Sequence, residues 1–162
     1  MTDAELNALQ IFHININCSD FDRSLAFYTA IGFEPVVDFG ADSDPRSFGE
    51  RGLGPVLNLP DDCAGRAMLL ALGAAPRATR LDLIEWKRPR SGPKPAPDMV
   101  RLGVARVCLK VRDCAALYQR LRADGYTIYS PPTRIVLAGV ESLVFCCEDP
   151  DGTVMEFMQF LK

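Results

Sequence analysis

Histidine is nearly missing from this chain: His13 is the only one in 162 residues. One imidazole excludes a two-histidine, one-carboxylate iron triad built within a protomer. No apolar run approaches the ~18 residues that a membrane helix needs, so no membrane partner is expected. The opening "MTDAELNALQ" has acidic residues and no apolar core, so no secretory signal is expected either. An excess of positive charge is also lacking. The net charge is −3 and the pI about 5.2, which argues against nucleic acid as a partner. The densest basic run, "WKRPRSGPKP" (86–95), holds three prolines and reads as a solvated linker. Six cysteines are present, Cys18, Cys63, Cys108, Cys114, Cys146 and Cys147, but no CxxC pair. They read as reduced, buried small hydrophobes of a cytoplasmic protein.

What is present is a repeat. "IFHININCSDFDRSLAFYTAIGF" (11–33) aligns with "VARVCLKVRDCAALYQRLRADGY" (104–126) without a gap, at an offset of 93. Each segment opens with an alternating, strand-like run. Each then places an aspartate, Asp20 or Asp113, where a helix N-cap belongs. An amphipathic stretch follows in each, closed by Gly32 or Gly125, suited to the positive φ of a helix C′ position. Helices are expected near 20–31 and 113–124. "LDLIEW" (81–86) and "TVMEFM" (153–158) match at an offset of 71, which pairs Glu85 with Glu156. Module one therefore carries 22 extra residues, assigned to "FGADSDPRSFGERGLGPVLNLPDDCAG" (39–65), a Gly-, Pro- and Asp-rich loop expected to cap a cavity.

Strands are expected near 11–17, 33–38, 67–72 and 80–86, and again near 104–111, 126–129, 142–148 and 153–160. The domain plan is a single domain over 10–162: module one 10–86, linker 87–101, module two 102–162. The fold class is α+β, two βαβββ modules forming a half-barrel around a central cavity.

Strand parity selects the residues of that cavity. Phe12, Ile14 and Ile16 should face the helix, and His13, Asn15 and Asn17 the cavity. In module two, Arg106, Cys108 and Lys110 take the cavity side, so Arg106 stands where His13 stands in module one. A carboxylate in an apolar strand is costly unless a cation compensates it. Glu85 and Glu156 could instead reach solvent from edge strands, and His13 alone could be a satisfied core histidine. Four polar residues at matched positions favour a shared site.

The paired modules, with "HININCSDFDRSLAFYTAIGF" at the start and "EDPDGTVMEF" at the end, resemble the vicinal oxygen chelate superfamily. That family includes glyoxalases, epimerases, extradiol dioxygenases and bleomycin-binding proteins. The resemblance implies metal ligands on the first and last strands of each module: His13, Glu85, position 106 and Glu156. Position 106 is arginine, which stays protonated and cannot ligate a metal. A divalent ion (Zn, Ni, Mn, Fe or Mg) on His13, Glu85 and Glu156 remains one expectation. Glu156 or Glu85 would then move a proton beside a metal-polarised carbonyl, and Arg106 would hold an anionic group, with Asn15 and Trp86 as further substrate contacts. The other expectation is a non-catalytic small-molecule binding protein in which Arg106 replaces a metal ligand. The single histidine disfavours dioxygenase chemistry. The family, together with an apolar edge at "LVFCC" (143–147), implies a homodimer.

Overall fold

The computed structural model describes residues 10–40, 46–93 and 96–161. It divides into two compact units between Gly92 and Pro93. Residues 41–45 of the expected loop lie outside the described residues, as does the N-terminal stretch 1–9. Among the described residues no helix is long and apolar enough to cross a membrane.

Unit 1 runs β1 (Ile14–Asn17), α1 (Phe21–Ala30), β2 (Glu34–Asp38), α2 (Leu53–Leu57), β3 (Ala64–Leu72) and β4 (Thr79–Arg88). Unit 2 runs β5 (Val107–Lys110), α3 (Cys114–Ala123), β6 (Thr133–Leu137), β7 (Val140–Glu148) and β8 (Val154–Phe160). The sheets have the orders β1-β4-β3-β2 and β5-β8-β7-β6, and neither closes into a barrel. In each, the first strand pairs in parallel with the last, and the remaining pairs are antiparallel. The α+β class and the paired strand–helix–strand–strand–strand plan therefore hold.

The capping chemistry is the same in both units. Asp20 accepts a hydrogen bond from the Arg23 N–H at 3.0 Å, and Asp113 from that of Ala116 at 2.9 Å. Each helix ends on a glycine with positive φ, Gly32 at 108° and Gly125 at 81°. The N–H of Phe33 returns to the carbonyl of Tyr28, and that of Tyr126 to Leu121, a double-bonded C-cap that only a left-handed residue permits.

Each helix covers one sheet face. Under α1 lie Leu70, Leu81 and Leu83, together with Phe21, Phe27 and Tyr28 from the helix itself, all essentially solvent-free. Arg66 leans over the Phe21 ring and bonds Asp22, which fixes the helix side of β3. Under α3, Phe145 and Phe157 stack at 5.0 Å and Tyr118 meets Phe145 edge-on. Burial of each such ring stabilises the fold by about 1.5–3 kcal/mol.

Three expectations are corrected. The strand placed at 126–129 is reduced to an isolated bridge between Ile128 and Cys147. The partner of β7 is instead β6, at 133–137, beyond Pro131 and Pro132, which lack the N–H groups a ladder needs. The hairpin closes on Ala138 and Gly139, with φ of 50° and 78°, a turn whose twist suits paired strands. β7 lies between β8 and β6, and Ile128 bridges to Cys147 beyond the end of β6, so "LVFCC" is in an interior strand and not at an edge. Finally, the described part of the inserted segment is not an open loop. It folds into α2 and packs Phe48 and Cys63, with Leu59 and Phe39, onto Ala67, Ile84 and Trp86 of the sheet. Gly49 is required there, because a Cβ would lie 1.7 Å from the carbonyl oxygen of Asp61.

Candidate functional site

In unit 1 the face turned away from α1 carries the polar residues. His13 sits one residue ahead of β1, and Asn15 and Asn17 follow on the same parity. Asn15 lies on one rung with Asp82, and Ile16 on the next with Leu83. Asp82, Ile84 and Trp86 therefore share the face with His13, Asn15 and Asn17. Asn15 Nδ2 donates to Asp82 Oδ2 at 3.4 Å, and the Trp86 indole N–H donates to Asn17 Oδ1 at 2.9 Å. Asp82 Oδ1 is buried and accepts no hydrogen bond. Asn15 thus stands on the face where strand parity put it, and Trp86, which parity did not place, shares that face.

Glu85 does not. Its rung partner is Arg66, which contacts α1, so Glu85 lies on the helix face of the sheet and pairs with Lys87 at its rim. The carboxylate equivalent to Glu156 is Asp82. Asn15 pairs with Asp82 as Cys108 pairs with Glu156, and both first strands keep the offset of 93, so the last strands align at 74. Matching glutamate to glutamate slips the register by three, and an odd slip turns every side chain to the other face. The sequence pattern does not separate the two matches, because Asp82 in "LDL" and Glu85 in "IEW" each stand between two large apolar residues, as Glu156 does in "MEF".

Burial raises the Asp82 carboxyl above the usual carboxylate range, and the His13 charge and the Asn15 hydrogen bond oppose that rise only in part. The folded chain therefore holds a proton here more firmly than the unfolded chain does. This contribution is present at acid pH and is lost as pH climbs from the ordinary carboxylate range through the raised value. Asp82→Asn abolishes that loss. The thermal midpoint of the variant should gain on the wild type between mildly acid and neutral buffer, and a constant difference would refute the assignment.

In unit 2, Arg106 sits one residue ahead of β5, as His13 does ahead of β1. Its Nε donates to Glu156 Oε2. Glu156 is 8% exposed, whereas the Arg106 side chain is 45% exposed. The hydrogen bond and then the charge of Glu156 hold the Arg106 guanidinium further above its ordinary pKa. Glu156 also shares its rung with Cys108 on one side and Cys146 on the other. Strand parity predicts Cys108 on this face, and the pairing of β7 with β8 adds Cys146, which the sequence pattern does not place there. Desolvation, followed by the hydrogen bond and charge of Glu156, pushes the Cys108 thiol up to about 12. Desolvation and Glu156 raise Cys146 as well. Both are thiols at neutral pH, not thiolate nucleophiles or ligands. Lys110, next on this parity, lies over the Phe160 ring at 5.2 Å. All six cysteines are free.

Within either unit alone, the donor set among the described residues is too small for a metal ion. Unit 1 offers His13 and Asp82, while the buried carboxylate of unit 2 is bonded to Arg106. Among the described residues no group of three or more His, Cys, Asp or Glu side chains is placed to hold a metal.

A family model matches residues 10–157, nearly the whole described chain. The chain belongs to the glyoxalase/bleomycin resistance protein/dioxygenase superfamily. Solved structures of the superfamily fold include a glyoxalase family protein from Bacillus cereus, 15% identical with a TM-score of 0.76 over 99% of this chain and 100% of that one. The antibiotic binding protein TnmS3 from Streptomyces sp. CB03234 is 18% identical, with a TM-score of 0.61 over 97% and 100%. A mutant of the fosfomycin resistance protein FosX from Listeria monocytogenes, complexed with Mn(II) and a dihydroxypropylphosphonic acid, is 11% identical, with a TM-score of 0.62 over 95% and 92%. At these identities the superfamily member shares their fold, and nothing finer. No curated protein matches it.

Proposed function

We propose that this superfamily member is a small-molecule binding protein that works without a metal, with Arg106 as its anion-recognising group. The observation that carries this reading is the Arg106–Glu156 pair. A buried carboxylate at a position suited to a ligand is already compensated, and its compensating cation is half-exposed. Among the described residues only Nε is engaged, so the two Nη groups of the guanidinium remain for a carboxylate or phosphonate, which their fork geometry fits. Lys110 and Phe160 on the same face add a second cation and an aromatic surface. An antibiotic binding protein on the same fold is a precedent for binding without stated chemistry. The proton-transfer reading has less support, since Glu85 lies on the helix face and Glu156 is tied to Arg106.

The test is calorimetry with indole-3-acetate, an aromatic carboxylate, on protein stripped with a chelator. Binding is expected to be unaffected by chelation, and Arg106→Gln should weaken it roughly tenfold or more. Binding that requires an added divalent ion, or that ignores Arg106→Gln, would overturn the reading.

A further inference from the structure

The two sheets differ at the strand that closes each outer hairpin. β2 ends the unit 1 sheet and carries the usual guards against a further strand. Pro35 lacks an N–H, the register slips between Pro35 and Val37, and Glu34 and Asp38 set carboxylates at both ends. β6 ends the unit 2 sheet with none of these devices. Its sequence, TRIVL, has no proline, and it pairs with β7 over five rungs without a bulge. Its one charge, on Arg134, is taken up by Glu141 of β7. All its residues but Ile135 are exposed, Val136 at 59%.

The hairpin decides which backbone groups face outward. A two-residue turn at Ala138 and Gly139 makes Leu137 and Val140 a hydrogen-bonded pair, and the alternation then selects Ile135–Ser142 and Thr133–Val144. The carbonyl of Glu141 accepts from Leu161, on the β8 side, which agrees with a Val136–Glu141 rung that carries no bonds. The N–H and C=O of Arg134 and Val136 therefore point away from β7. Among the described residues no strand lies beyond them.

This row of donors and acceptors fits a copy of itself. Antiparallel pairing sets outward residues opposite outward residues, so only a few registers about a two-fold axis are open. Arg134 opposite Arg134 brings like charges together. Val136 opposite Val136 draws Ala138 into the ladder, and its φ of 50° is not that of a strand. With Ile135 on the axis, Arg134 of each copy faces Val136 of the other, and every outward N–H and C=O of both strands is used. Val136 is then covered. Arg134 of one copy also continues the Glu141–Val136 rung of the other, so charges of opposite sign end that row. An unrelated extended peptide would meet the same backbone groups but not this charge order.

We propose that β6 pairs antiparallel with β6 of a second copy of this chain, about a two-fold axis at Ile135, joining two unit 2 sheets into one. The contact replaces the edge expected at 143–147, which β6 occupies. One five-residue strand per copy is a small interface, so the dimer is concentration-dependent.

Sedimentation velocity of the full chain, from about 10 μM to about 1 mM, should show a monomer–dimer equilibrium. Hydrogen exchange at the Arg134 and Val136 amides should slow as concentration rises, whereas Ile135 and Leu137 are protected throughout. Val136→Lys is the specific variant. Its ammonium faces Glu141 across the hairpin, which favours the fold, but it meets the second copy's Arg134. It should weaken dimerisation about tenfold. Val136→Pro, which removes only an outward N–H, should do likewise, and Val37→Lys on β2 should change nothing. A monomer at every concentration, a dimer indifferent to both Val136 variants, or exchange at Arg134 and Val136 that ignores concentration would overturn the proposal.

Discussion

Arg106→Ala is expected to destabilise unit 2 by about 1–3 kcal/mol, the cost of leaving a buried carboxylate without its cationic partner. Glu156 lies between two protonated thiols, neither of which carries a compensating charge. Removing the guanidinium leaves the carboxylate to face them alone. The cost stays below that of a fully buried pair, because the Arg106 side chain is 45% exposed and gives up little burial when it goes. The double variant Arg106→Ala with Glu156→Gln should recover part of the loss, because the stranded charge is then gone. Denaturant unfolding of the four proteins gives the coupling directly. Additive losses would mean that Arg106 and Glu156 do not depend on one another.

Phe157→Ala should cost more, about 3–5 kcal/mol. Phe157 is completely buried beneath α3, stacked on Phe145 and on one rung with Leu109. Its carbonyl also accepts from the Cys114 thiol, so the backbone is held while the ring is removed. The cavity cannot collapse easily between a strand paired on both sides and a helix capped at both ends. A loss under about 1 kcal/mol in denaturant unfolding would show that this core relaxes freely, contrary to the packing described.

The features legible in the sequence were those set by local chemistry. Asp20 and Asp113, Gly32 and Gly125 mark helix ends because a carboxylate cap and a left-handed residue are needed there whatever the tertiary context. The alternation of β1 shows which of its faces is polar and places His13 and Asn15, and the repeat carries the same placement to Arg106 ahead of β5. What was missed depended on partners distant in sequence. β6 has five residues, of which only Ile135 is even partly buried, and it is a strand because β7 needs a neighbour. α2 is a single short turn held against the sheet by Phe48 and Cys63 of the same insertion. The register of β4 is set by its parallel pairing with β1, and residue identity between Glu85 and Glu156 pointed three positions away from it. That slip hid Asp82, which the pairing of Asn15 reveals at once.

The central claim is that an arginine–glutamate pair stands where a metal ligand would otherwise be expected. Elemental analysis of the wild-type chain, purified without chelators and without added metals, tests it most directly. The account predicts divalent metal far below one ion per chain. A content near one ion per chain that disappears in His13→Ala would contradict it.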